Sequence, residues 1–329
     1  EPEFRQGEQL AFVLSDLSKA IKAKIVERCG TRDYWENWAK DIAKIAQAHI
    51  TRIKAIVFNS GTKERKLFEE FVAEIRDDLN PSITEEQAVE MLAQHLVTKP
   101  VFETLFKDHK FTEENPVSKS MQSILTALSA HRLEKESDSL QKFYDSVKRR
   151  SADIETSTGR QTLILELYER FFSYAFKSMT ERLGIVYTPV EVVDFIIHSV
   201  ADILQKEFGR DISDENIHLL DPFTGTGTFI TRLLQSGLIN SRDLARKYTS
   251  EIHCNEIVLL AYYIAAVNIE SIFGSMNDGG YESFDGLVLT DTFQMFESDD
   301  IMDEMVFQDN NAKVSKQKNM DIRVIIGNP

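Results

Sequence analysis

Asp221-Pro-Phe-Thr-Gly-Thr-Gly-Thr-Phe229 lies between an apolar run, Ile217-His-Leu-Leu220, and a helix-like run, Phe229-Ile-Thr-Arg-Leu-Leu234. The order predicts a strand, a glycine turn and a helix. Gly225 and Gly227 have no Cβ, so the backbone there can come close to a ligand. A phosphate loop needs GxxxxGK[ST], and neither Gly-Lys-Ser nor Gly-Lys-Thr occurs in the chain. A dinucleotide turn has GxGxxG, and Ile230 stands where its third Gly belongs.

Around this turn the pattern alternates. A helix is expected over Val190–Lys206, a strand over Ile217–Leu220 and a helix over Thr228–Ser236. A short strand follows at Glu251–Asn255, then a helix over Ile257–Ile269, with strands at Leu287–Thr290 and Arg323–Ile326. Alternating strands and helices predict a doubly wound parallel α/β sheet. About four strands is fewer than the usual 5–6, so the domain is expected to be incomplete at its C-terminus.

Residues 1–182 read differently. Trp35, Trp38, Ile42, Ile45, His49 and Ile53 recur at steps of three and four, a helical period. Thr84-Glu-Glu-Gln87 after Pro81 has the form of a capping box and opens a helix through Val97. Asn115-Pro116 marks a break. Glu134–Arg150 is charged, with Leu140 and Phe143 as apolar contacts, and Gln161–Arg182 is apolar and aromatic, ending near Gly184 as a C′ residue. The expectation is a helical domain over 1–182 and an α/β domain over 183–329. A chain of 329 residues with 42% hydrophobic content can form two such cores.

Composition excludes several classes. No apolar run reaches the ~18 residues of a membrane span, and Glu1-Pro-Glu-Phe4 is not a signal peptide. Cys29 and Cys254 lie far apart, with no zinc spacing, and the seven His form no HExxH, so no metal site is expected. A reduced, cytoplasmic setting is the simplest reading. The net charge is −15, and from Tyr281 to Asn310 there is no Lys or Arg. Such a surface repels phosphate, so any nucleic acid is gripped elsewhere.

With phosphate loops and dinucleotides set aside, S-adenosylmethionine is the leading ligand of the turn. Asp221 to Phe229, including Phe223, Thr224, Gly225, Gly227 and Thr228, resembles motif I of the amino-methyltransferases that modify adenine in DNA. The resemblance implies that Asp221 and the glycine turn hold the methionine part of the cofactor, an anion suiting its ammonium and sulfonium charges. Glu251-Ile-His-Cys-Asn-Glu256 is similar to that family's second strand. Glu256 at its end can accept hydrogen bonds from both ribose hydroxyls.

Tyr187-Thr188-Pro189 resembles the family's motif X, a turn that closes over the methionine end. Thr188 is then expected to bond the cofactor's carboxylate at a helix N-terminus, with Pro189 at the first helical position. In Leu289-Thr-Asp-Thr-Phe293, Asp291 matches the position that contacts the cofactor's adenine ring, with Phe293 as a pocket wall. Ile325-Ile-Gly-Asn-Pro329 looks like the start of the catalytic motif, Asn-Pro-Pro followed by an aromatic. Asn328 and Pro329 are the catalytic candidates. Their oxygens would accept the two hydrogens of an exocyclic adenine amine, while an aromatic stacks on the flipped base. The second Pro and the aromatic are not in this sequence, so methyl transfer by the chain alone is not expected.

The order of motifs, with no target-recognition segment among them, resembles the γ class. The long helical region before Leu183-Gly-Ile-Val-Tyr-Thr-Pro189 looks most like the coupler of single-chain type ISP restriction-modification enzymes. The resemblance implies partners: duplex DNA through other segments, and helicase, nuclease and target-recognition domains. Two alternatives stay open. One is a protein glutamine N5-methyltransferase, which uses the same Asn-Pro chemistry on an amide. The other is a non-catalytic helical coupling or scaffold module.

Overall fold

A computed structural model of the chain describes residues 32–105, 110–128, 145, 188–277, 280–295 and 307–328. The first described helix, α1 (Arg32–Val57), buries Ile45, Ala46, His49, Ile50, Ile53 and Val57 along one face. This is the period expected of it; the side chains of Trp35, Trp38 and Ile42 lie outside the described residues. Next comes α2 (Lys63–Asp78), which the sequence reading did not single out. Thr62 caps it by accepting from the Arg65 amide at 3.2 Å, and Phe68, Phe71, Val72 and Ile75 form its buried stripe.

The capping box at Thr84 forms as expected. Thr84 N donates to Gln87 Oε1 at 2.8 Å, and Gln87 N donates to Thr84 Oγ1 at 3.2 Å. The helix it opens, α3 (Glu85–Leu105), runs past Val97 and through Pro100. The expected end was too early, because burial of Ala88, Val89, Leu92, Ala93, Gln94, His95 and Val97 holds this helix in place from several sides. Arg65 reaches back from α2 with a two-pronged contact to Glu85, both arms at 2.8 Å. A short α4 (Phe111–Glu114) and α5 (Pro116–Ala127) follow. Asn115 separates them, and its side chain caps α5 at the Ser118 amide, 3.0 Å away. Gln161–Arg182, Gly184 and most of Glu134–Arg150 lie outside the described residues.

The second part opens with α6 (Val190–Phe208), which ends at left-handed Gly209. Pro189 is its N-cap rather than its first helical residue. Its carbonyl accepts from Val192 and Val193, so the helix begins one residue later than Pro189 at the first helical position would have it. Then come β1 (His218–Asp221), α7 (Thr228–Gln235), the short α8 (Leu244–Arg246), a π-helical turn (Lys247–Glu251), β2 (Ile252–Glu256), α9 (Leu259–Met276), β3 (Leu287–Leu289), α10 (Gln308–Lys318) and β4 (Ile322–Ile325). Glu251 belongs to the π turn, not to the strand expected from it. There its carboxylate meets buried Lys247 at 2.8 Å.

The four strands form one sheet, ordered β3-β2-β1-β4, with every neighbouring pair parallel. Parallel strands need crossovers, and α7 to α10 supply the helical cover. β2 and β3 are buried along their whole lengths. The most buried helix is α9. It has the length and hydropathy of a membrane span, but 83% of that span is buried inside the protein. It packs against α7, β2 and β3 on one side and α3 on the other.

That arrangement joins the two regions. Tyr263 on α9 meets Phe111 and Phe102 edge-on, with ring centroids 5.4 and 6.2 Å away. Its hydroxyl lies 2.9 Å from His95 Nδ1 on α3. Tyr262 accepts a hydrogen bond from Asn115 Nδ2 at 3.0 Å. Buried aromatic rings with partnered polar tips make a specific seam.

Candidate functional site

The C-terminal ends of parallel strands are where open α/β sheets bind ligands. Here β1, β2, β3 and β4 end at Asp221, Glu256, Leu289 and Ile325. The glycine turn follows β1. Gly225 (φ 56°) and Gly227 (φ 83°) are both left-handed, a region costly for residues with a Cβ. Around Gly225 a Cβ would meet nothing within 4 Å, so this backbone faces open space. At Gly227 a Cβ would lie 3.2 Å from the Ile269 side chain and 3.3 Å from Ala265 Cα. One glycine therefore leaves room, and the other allows α7 to pack against α9.

Two carboxylates lie beneath the turn. Asp221 is fully buried. Its Oδ1 accepts from Phe223 N at 3.2 Å, while its Oδ2 is buried with no hydrogen-bond partner among the described residues. Burial pushes this carboxyl up to about 7, the Phe223 amide opposes the shift, and the nearby Glu256 charge adds to it. Glu256 is pushed up to about 7 by burial as well, although the Val258, Gly225 and Ile257 amides hold it down. Its Oε2 accepts from Gly225 N and its Oε1 from Val258 N, both at 2.7 Å. As described, Glu256 grips the glycine turn. Each oxygen keeps a further lone pair for a ligand.

Thr224 secures the turn at both ends. Its Oγ1 donates to Asp221 O at 3.0 Å and its N donates to Asn255 O at 3.0 Å. Thr228 opens α7, with its hydroxyl 3.5 Å from that of Thr226. After β3, Asp291 Oδ1 accepts from Phe293 N at 2.9 Å. The Phe293 ring is 74% exposed and stands 5.5 Å from the half-buried Phe223 ring. At the end of β4, Asn328 Nδ2 donates to Thr188 Oγ1 at 3.0 Å. Thr188, Asp221, Phe223, Thr224, Gly225, Gly227, Thr228, Glu256, Asp291, Phe293 and Asn328 thus cluster at one end of the sheet. Tyr187 and Pro329 lie outside the described residues.

Three contributors were not anticipated. At Gly327 a Cβ would come 3.0 Å from Asp221 Oδ1, a tight contact, so glycine leaves room where the chain after β4 passes the buried carboxylate. Thr292 Oγ1 donates to Pro222 O at 2.7 Å and ties the segment after β3 to the turn. Asn80, in the loop between α2 and α3, donates from Nδ2 to Asp291 Oδ2 at 2.6 Å. Asn80-Pro81 is legible as a turn, but nothing local in the sequence points to a partner 211 residues away.

Chemically, the site sets two buried carboxylates beneath a close-approach backbone. Two buried carboxylates with raised proton affinity and one unpartnered oxygen suit a cationic ligand. Among the described residues no group of three or more His, Cys, Asp or Glu is arranged to hold a metal ion.

Residues 34–159 match the family described as the coupler domain of type ISP restriction-modification enzymes. Solved structures extend the likeness across both regions. The ATP-dependent type ISP restriction-modification enzyme LlaBIII, bound to DNA, is 47% identical, with a TM-score of 0.86 over 97% of this chain and 22% of that one. A nuclease-deletion mutant of the type ISP enzyme LlaGI, in complex with a DNA substrate mimic, is 44% identical, with a TM-score of 0.84 over 96% of this chain and 26% of that one. A DrdV–DNA complex is 29% identical, with a TM-score of 0.79 over 93% and 29%. The chain is homologous to type ISP restriction-modification enzymes and spans about a quarter of the length of these relatives. No match was found among curated proteins.

Proposed function

We propose that this chain is the coupler and cofactor-binding part of a type ISP restriction-modification enzyme, and that its sheet serves an N6-adenine DNA methyltransferase using S-adenosylmethionine. The observation that carries the reading is the buried, unpartnered oxygen of Asp221 beside Glu256, directly under a left-handed glycine turn. A third glycine, Gly327, leaves room next to Asp221.

When bound, S-adenosylmethionine supplies an electrophilic methyl group on a sulfonium. Asp221 would hold the cofactor's ammonium with its buried, unpartnered oxygen. Glu256 would accept from the ribose hydroxyls while retaining Gly225 and Val258. Asp291 would accept from the cofactor's 6-amino group, with Phe293 and Phe223 beside the purine. Asn328, its amide nitrogen directed to Thr188, presents Oδ1 to accept a hydrogen from the target amine. That raises electron density on the amine nitrogen, whose lone pair is otherwise delocalised into the base. Duplex DNA, with the target base flipped, would be brought by other segments, as would helicase, nuclease and target recognition.

Isothermal titration of the chain with S-adenosylmethionine tests the reading, with Asp221→Asn as control. Binding that the substitution abolishes supports it. Absence of binding by the wild-type chain, under conditions where the fold is intact, refutes it. It would favour a non-catalytic coupling module instead, a second reading to which the His95–Tyr263 and Asn115–Tyr262 contacts across the two regions also lend weight.

A further inference from the structure

The loop between α2 and α3 reaches the candidate site from the helical region. Asn80 is fixed within this loop: its Oδ1 accepts from Ser82 N at 2.9 Å and from Ser82 Oγ at 2.6 Å. Its carbonyl accepts from Ile83 N at 3.1 Å. The loop is held from outside as well, since Arg76 Nε donates to Ile83 O at 2.7 Å and Arg65 clasps Glu85 just beyond. With Oδ1 committed, the Asn80 amide can present only Nδ2 outward. That group meets Asp291 Oδ2 at 2.6 Å.

Asp291 is constrained from its own side too. Its Oδ1 accepts from Phe293 N, and its carbonyl accepts from Gln294 N and Met295 N. One residue earlier, Thr290 N donates to Glu256 O at 3.0 Å. The carboxylate is therefore oriented by one donor from the sheet region and one from the helical region. Loss of either frees it to rotate.

We propose that Asn80 is a positioning residue of the cofactor site, acting through Asp291, so that the helical region takes part in recognising the cofactor's purine. This rests on the reading of Asp291 given above. A carboxylate can hydrogen-bond adenine only at a donor, and the 6-amino group is the donor adenine offers on its ring edge. Asn80 directs one carboxylate oxygen and leaves the remaining lone pairs in a defined direction. Because binding couplings are reciprocal, an occupied site must also hold the 79–83 loop more firmly against the sheet.

The test measures binding, not turnover. S-adenosylhomocysteine and S-inosylhomocysteine, whose purine has a carbonyl in place of the 6-amino group, are titrated into wild-type, Asn80→Ala, Asn80→Asp and Asn80→Asp/Asp291→Asn chains. Circular dichroism and thermal melting check the fold of each. Asn80→Ala is expected to bind S-adenosylhomocysteine about tenfold more weakly, with S-inosylhomocysteine changed less than about twofold. Asn80→Asp places two carboxylates together and loses more. The double exchange restores an amide–carboxylate pair but puts an amide where the purine's acceptor stood, so it should recover thermal stability without recovering S-adenosylhomocysteine affinity. Equal losses for both analogues, or an unchanged Asn80→Ala, overturn the proposal while leaving the cofactor site standing. A folded wild-type chain that binds neither analogue overturns both.

Discussion

Asn328 and Thr188 are 140 residues apart in sequence, yet the Asn328 amide donates to the Thr188 hydroxyl at 3.0 Å. The contact joins the end of β4 to the turn before α6. It uses the amide nitrogen and leaves the amide oxygen available. A hydroxyl that accepts from Asn328 can still donate to another group.

Removing that hydroxyl should therefore act on two neighbours. Thr188→Val keeps the shape and loses the polar contacts, whereas Thr188→Ser keeps them. S-adenosylmethionine binding is expected to weaken about ten- to hundredfold in the valine variant, the cost of about one hydrogen bond to a charged group. The serine variant should stay within about twofold. Calorimetric titration of both variants reads the difference.

Gly225 and Gly227 should separate stability from binding. Gly225→Ala bears only the left-handed backbone cost, about 1–2 kcal/mol. Its new methyl would intrude where a ligand approaches, so cofactor affinity should drop far more than stability. Gly227→Ala adds a clash with Ile269 and the α9 backbone to the same backbone cost. Denaturant unfolding should show the larger loss for Gly227→Ala.

Asp221 should make the unliganded protein sensitive to alkaline conditions. Its carboxyl is raised in the fold from 3.8 to about 7. Its contribution to stability is full below pH about 4 and is lost as pH rises through about 7. Asp221→Asn should then stabilise the protein at pH 8 by roughly 2–4 kcal/mol, with little effect near pH 4. Unfolding curves across this range check the sign. A bound cation should draw the protons off Asp221 and Glu256, so S-adenosylmethionine affinity should fall as pH drops from 8 to 6. Titrations in buffers of different ionisation heat should register the released protons.

His95 should act in the opposite direction. Burial and the Lys99 charge lower its pKa to about 4. Its contribution is full above pH about 6.5 and is lost as pH falls towards 4. His49 and His253, both lowered to about 4 mainly by burial, reinforce it. His95→Gln should flatten acid unfolding between pH 6.5 and 4 by up to about 1.4 kcal/mol per pH unit. Unfolding free energies at three pH values in that window suffice.

Local signals in the sequence were strong where chemistry is local. The Thr84–Gln87 box, the Asn115-Pro116 break and the strand–glycine–helix order from Ile217 to Leu234 each depend on neighbours within a few residues, and each forms. Where partners are remote, the sequence was silent. The helix opened by that box was expected to run through Val97, but tertiary burial carries α3 on to Leu105. The helix α10 has no apolar stripe, because it docks through polar groups: Asn310 bonds the Leu289 backbone at both atoms, and Gln317 reaches Asn255 at 2.8 Å. The candidate site divides the same way. The turn and its carboxylates were legible as a motif, whereas Asn80 became visible only once the two regions were side by side.

Glu256 has a kinetic consequence. By gripping Gly225 and Val258 it keeps the turn in shape before any ligand arrives. A turn shaped in advance loses little chain entropy on occupation and requires no slow rearrangement. Association should accordingly follow a single concentration-linear phase in stopped-flow, and Glu256→Gln, which substitutes a weaker grip, should introduce a lag from a wandering loop.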